Sequence, residues 1–200
     1  MYNVFMENSL RLGFLASHNG TDMQAIVGEI EAGRLNAKAC VVISNNSNSP
    51  ALEFARLHNI DAKHISSKTD EKPDDAITQT LLSHGAELVI FSGYMKVVSK
   101  DSPLLQEFEG RIWNPHPADT EKYPGLWGDS VHEAVLKSGD EYTFPTIHIV
   151  NGTVDGGPIL SQGKVKINPD ETVESLRPRV QEEEIRLFLE LLQAKTAPQP

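Results

Sequence analysis

Leu88-Val-Ile-Phe91 is an uninterrupted run of large apolar residues closed by Ser92-Gly93. Successive side chains of a strand face opposite sides, so a run with no polar position predicts a strand covered on both faces, as in the middle of a parallel sheet. Four other strand-length runs accompany it: Leu10 to Ala16, Ala39 to Ile43, Ala62 to Ile65 and Arg111 to Asn114. Between them stand helical patterns at Met23 to Ala32, Ala51 to His58 and Asp75 to Ser83, with a short Pro103 to Phe108 segment. This alternation predicts βαβ units with right-handed crossovers, hence an α/β fold with a doubly wound, largely parallel central sheet and flanking helices.

Beyond Asn114 the pattern changes. Ala118 to Gly128 reads as a loop. Val131 to Ser138 reads as a helix with a capping box of Ser130 and Glu133, closed by Gly139. Thr146 to Val150 and Ile159 to Ile167 read as strands around a turn-rich Asn151 to Gly157, so the sheet is expected to be mixed at this end. Val173 to Leu192 is a long amphipathic pattern, in which Pro178 should kink the helix or split off its first turn. The organisation expected is an extension over 1–9, one domain over 10–192 and a frayed tail over 193–200.

The 200 residues are 39% hydrophobic and 23% charged, ordinary for one globular domain. A formal net charge of −10 argues against nucleic acid or an anionic membrane as a partner. No apolar run approaches the ~20 residues that span a bilayer, and the expected setting is the cytoplasm. Cys40 is the single cysteine, which excludes an internal disulfide and a thiolate zinc cluster. The histidines show no recognised ligand spacing, so no metal is expected.

Three segments carry chemistry. In Arg111-Ile-Trp-Asn-Pro-His-Pro117, Asn114 and His116 are two residues apart and would share one side of a strand. A carboxamide can donate to a developing oxyanion, and an imidazole can exchange a proton near neutral pH. Pro115 and Pro117 should end the strand's pairing there. A closed turn with a surface histidine is the alternative. Ser17-His-Asn-Gly-Thr-Asp-Met-Gln24 puts a glycine turn and free helix amides at the carboxyl edge of the sheet, suited to a single phosphate, or else is a plain capping box of Thr21 with Gln24. Asp22 would repel an anion there unless it points away. In Val154-Asp-Gly-Gly-Pro-Ile159, Asp155 could tune His116 from a loop, or be part of an Asp-Gly hairpin. His148 could face either core or cleft.

Taken in chain order, these segments together with Val42-Ile-Ser-Asn45, Gly93-Tyr-Met-Lys96, Lys122-Tyr-Pro-Gly125, Thr146-Ile-His148 and Val180-Gln181 with Glu184 closely resemble the phosphoribosylglycinamide formyltransferase family of folate-dependent purine synthesis. The resemblance runs from about Leu10 to Leu192. It implies a formyltransferase α/β domain and transfer of the formyl group of 10-formyltetrahydrofolate, a consumed co-substrate, to the amine of glycinamide ribonucleotide. Asn114, His116 and Asp155 match the family's catalytic trio, with protonated His116 and Asn114 at the oxyanion. Asn19, Gly20, Thr21 and Asp22 would hold the substrate phosphate, with Gln181 and Glu184 near the substrate. Met95, Lys96, Val97 and Val98 would border the folate. Small-molecule substrates, no metal, and a monomer or homodimer are implied. The chain departs from the pattern at Ala118-Asp-Thr-Glu121, where the family usually has a small residue, two leucines and a proline. It departs also at Lys96 for Arg, His18 for Gly, Asp22 for Asn, and Phe144-Pro145 before Thr146. A related enzyme for another amine, such as an amino sugar nucleotide, and a catalytically silent folate or phosphate binder are the competing readings.

Overall fold

A computed structural model describes residues 9–197. Of the expected extension over 1–9, all but Ser9 lies outside the described residues. Leu88–Phe91 (β4) is buried throughout. It lies between the parallel strands Leu10–Leu15 (β1) and Ile112–His116 (β5). Ala37–Ser44 (β2) and Asp61–His64 (β3) extend the sheet on one side, and Thr146–Ile149 (β7) and Ile159–Gln162 (β8) on the other. The seven-strand order is β3-β2-β1-β4-β5-β7-β8, parallel from β3 to β5 and antiparallel at β7 and β8.

The period of two explains the double cover. Leu88 and Ile90, with Leu12 and Phe14, join one core cluster under Thr21–Glu31 (α1), Pro50–Leu57 (α2) and Val173–Thr196 (α6). Val89 and Phe91, with Leu15, face the other cluster under Pro73–Ser83 (α3) and Pro103–Glu107 (α4). A third, smaller cluster joins Asp129–Ser138 (α5) to the start of α6 through Val131, Val135, Leu176 and Val180. No helix among the described residues is long and apolar enough to cross a membrane.

Four expectations are corrected. Pro115 does not end the pairing of β5, which continues against β7 to His116↔Thr146. Val150 N donates to Ile112 O, so antiparallel alternation puts the hydrogen-bonded pairs at 112, 114 and 116. The nitrogen of Pro115 therefore points away from β7, toward the side where β4 has already stopped pairing. The strand expected over 159–167 breaks at Gly163: β8 stays in the main sheet, and Val165–Lys166 (β9) pairs with Tyr142–Thr143 (β6) in a separate two-stranded sheet. The Ser130–Glu133 capping box is absent, because α5 begins after Gly128 and Ser130 Oγ instead donates to Trp127 O.

The fourth correction concerns α6. Pro178 does not split off its first turn: α6 is one helix through that residue and runs to Thr196, beyond the boundary expected at 192, so the tail assigned to 193–200 is helical in its first four residues. Thr172 and Ser175 form a reciprocal capping box that satisfies the first turn, which keeps that turn attached despite the proline. The ring still leaves the Glu174 carbonyl without its helical donor. Pro178→Ala is expected to raise stability by about 1–2 kcal/mol, the restored bond being partly offset by a freer unfolded chain. Urea unfolding midpoints would check it.

Candidate active site

The sheet's order reverses between β1 and β4, the place where open α/β sheets bind ligands beyond their carboxyl ends. The two segments leaving these strands are tied together there. Ser17 N donates to Gly93 O, and Ser17 Oγ accepts from Met95 N at 2.8 Å while donating to Asn45 at 2.6 Å. Ser49 Oγ donates to His18 O at 2.6 Å, and Gln24 Nε2 to Asn19 O at 2.7 Å. Gln24 thus braces the turn from behind, and no side chain caps α1. Gly20 is the helix's left-handed N-cap, where an added Cβ would lie 3.2–3.4 Å from Met23, Ala51 and Ala16. The turn leaves Asn19 exposed and the first amides of α1 beside it.

Asp22 is turned away from the open side of this turn. It is 5% exposed, and its Oδ2 accepts from Ser92 Oγ at 3.3 Å. Gln181 is half-buried and Glu184 buried on α6, which packs along α1. Of the segment after β4, Met95, Lys96 and Val97 are exposed, whereas Val98 is 5% exposed within the second core cluster and anchors the segment from below.

Asn114 and His116 occupy one face of β5, as their spacing requires. The register sets His148 directly opposite Asn114, on that same face. His148 Nδ1 lies 3.1 Å from the Ile149 carbonyl and Nε2 lies 3.0 Å from Asn114 Nδ2. Asn114 Nδ2 also donates to Pro115 O at 3.0 Å. Asp155 comes from the loop between β7 and β8 and joins the three: its Oδ2 is 3.4 Å from His116 Nδ1 and its Oδ1 3.5 Å from His148 Nε2. Gly125 N, from the loop after β5, donates to Asp155 Oδ2 at 2.9 Å. Asp155 has a left-handed φ of 49°, a conformation that Asp and Asn tolerate better than other side chains, and this aims its carboxylate back at the strands.

The electrostatics follow from burial. His116 is 3% exposed, and desolvation holds its imidazolium below the usual histidine range even though Asp155 pulls the other way. Burial also works to raise Asp155, but the His148 ring, His116 and the Gly125 amide outweigh it and keep the carboxyl below its ordinary value. At neutral pH the site therefore holds a neutral His116 beside a carboxylate. Nδ1–H faces Asp155, and Nε2 is left without a protein partner.

The structure thus brings Asn114, His116 and Asp155 together and adds His148, whose side the sequence left open. At Ala118-Asp-Thr-Glu121, Asp119 Oδ1 accepts from the amides of Glu121 and Lys122, so the departing residues build a turn of their own. Ala118 and Thr120 are buried, while Glu121 points to solvent.

Comparison with known proteins covers the same span. The formyl transferase family matches residues 10–192. Phosphoribosylglycinamide formyltransferase of Haemophilus influenzae is 33% identical over 183 residues, 89% of this chain and 83% of that protein. The chloroplastic phosphoribosylglycinamide formyltransferase of Arabidopsis thaliana is 32% identical over 92% of this chain, which spans 64% of its length. The crystal structure of glycinamide ribonucleotide transformylase 1 from Symbiobacterium toebii superposes with a TM-score of 0.86 at 34% identity, over 96% of this chain and 90% of that one. A match that begins with β1, ends within α6 and takes in every strand and loop of the site leaves one assignment: the chain belongs to the formyl transferase family.

Proposed function

We propose that this protein transfers the formyl group of 10-formyltetrahydrofolate to the amine of glycinamide ribonucleotide, a one-carbon step of purine synthesis. The observation that carries the reading is the convergence of Asn114, His116 and Asp155 within a chain matched along its whole domain by relatives of that name. The turn Asn19-Gly-Thr-Asp22 offers helix amides to the ribonucleotide phosphate, and Met95 and Val97 offer exposed apolar side chains to the folate, with the Lys96 ammonium between them.

The chemistry balances without a covalent enzyme intermediate. The amine nitrogen attacks the formyl carbon and the carbonyl pair moves onto oxygen. Asn114 Nδ2 can donate to that oxyanion by giving up its contact with Pro115 O. His116 Nε2, closed to solvent in the free chain and uncovered as the substrates seat, takes the proton released by the attacking nitrogen, and Asp155 steadies the resulting imidazolium at Nδ1. The carbon–N10 bond then breaks with its electron pair going to the folate nitrogen, which receives the proton from His116. Desolvation favours this cycle, because an imidazole held below its usual range begins as the free base.

The test is tetrahydrofolate release from 10-formyltetrahydrofolate and glycinamide ribonucleotide, with His116→Ala as control. Turnover should require the ribonucleotide and disappear in the variant. Folate binding without turnover would move the assignment to another amine acceptor, and turnover that survives in the variant would remove His116 from the chemistry.

A further inference from the structure

Asp22 and Glu184 are buried carboxylic acids on α1 and α6, 5% and 7% exposed, and across the packing of these helices they are near enough for the Asp22 charge to act on Glu184. The other group presented to Asp22 is the Ser92 hydroxyl, which donates to Oδ2 and itself accepts from Met23 N. Asp22 Oδ1 has no partner although it is sealed from solvent. Among the described residues no Lys, Arg or His contributes to the surroundings of either acid. Two carboxylates so placed cannot both ionise at ordinary cost, and an acceptor oxygen lacking a donor is what a neighbouring carboxylic O–H would supply.

Asp22 lies in the first turn of α1, directly after the Asn19-Gly20 turn, and Gln181 is one turn before Glu184 on α6. A repulsion between the acids would thus push α6 off the place where α1 begins and add negative charge beside an anion-binding turn. We propose that Asp22 and Glu184 hold one proton between them, and that this proton keeps α6 seated on α1, so that affinity for the phosphorylated acceptor declines as the pair gives it up. The acceptor clause rests on the function proposed above; the proton sharing does not.

Burial lifts Asp22 from its ordinary value to about 6, the Ser92 hydroxyl and its own amide offsetting part of the cost, and burial together with the Asp22 charge lifts Glu184 well above its own. With both values raised in the folded state, the stability they allow is complete below the unfolded values near 4 and is lost as pH rises through 6 and beyond. The first experiment follows thermal unfolding of the protein, Asp22→Asn, Glu184→Gln and the double variant from pH 4.5 to 8.5. Each single variant should match the parent at the acid end and melt several degrees higher at pH 8.5, and the double variant should gain little more. A gap that is constant with pH, or gains that simply add, would overturn the shared proton.

The second experiment titrates glycinamide ribonucleotide calorimetrically at pH 6 and 8.5. The affinity ratio of Asp22→Asn to parent should rise about tenfold between the two, a comparison that cancels ionisation of the ligand itself. Binding with an unchanged ratio overturns the coupling to the acceptor. Absence of ribonucleotide binding at either pH, with the melting pattern as expected, overturns the acceptor assignment and leaves the shared proton standing.

Discussion

Asp155→Asn is expected to lower kcat by roughly two to four orders of magnitude while leaving the unfolding midpoint nearly unchanged. The residue sits at a φ of 49°, and asparagine is the isostere that accepts this conformation, so the loop can keep its shape. The charge opposite His116 Nδ1, 3.4 Å away, is what disappears. That charge opposes the desolvation of His116, so its loss drives the imidazole further below its ordinary value, and the acid limb of the kcat profile should move to lower pH. A merely structural aspartate would lower activity without moving the limb. Wild-type turnover, or a limb that stays in place, would show that Asp155 does not act through His116.

The second large effect is on folding. Gly157→Ala is expected to destabilise the protein by more than about 3 kcal/mol, because a Cβ there would stand 1.7 Å from Ile149 O and 2.8 Å from its carbonyl carbon. Both atoms are backbone and Ile149 N is held by Pro158 O at 2.9 Å, so no rotamer change relieves the overlap. The loop would have to lift from β7 and carry Asp155 with it. Gly28→Ala is the control: it is exposed in α1 with nothing within 4 Å of an added Cβ, and should stabilise by about 0.5–1 kcal/mol. Denaturant unfolding of the two variants measures both; equal stabilities would mean that the contact at Ile149 is not as close as described.

The parallel half of the sheet was legible because its strands are decided locally. Leu88-Val-Ile-Phe91 has no polar side to offer water, and it divides between two core clusters as its period demands. Asn114 and His116 were legible for the same reason, since residues two apart share a face whatever the partner strand. His148 was not, because its direction depends on the register with β5, which is a long-range fact. Pro115 misled because a missing amide hydrogen matters only on the paired side of a strand. The break at Gly163 and the continuity of α6 were hidden likewise, the first by pairing with the distant Tyr142–Thr143, the second by the cap at Thr172 together with the burial of Leu176 and Val180 on either side of Pro178. Asp22 could be read as an anomaly beside a phosphate turn, but its partner on α6 could not.

The packing of α6 along α1 sets a schedule for synthesis. As the chain leaves the ribosome, β1, α1 and β2 are complete early and can pair as a local unit, and β4 and β5 add to the same sheet in turn. Phe14, Met23 and Ile26 remain without Leu187 and Phe188 until α6 emerges, so the nascent chain carries an uncovered apolar face until then. Asp22, in the first turn of α1, meets Glu184 only when α6 arrives. Completion of this core cluster and the meeting of the two buried acids are therefore one event.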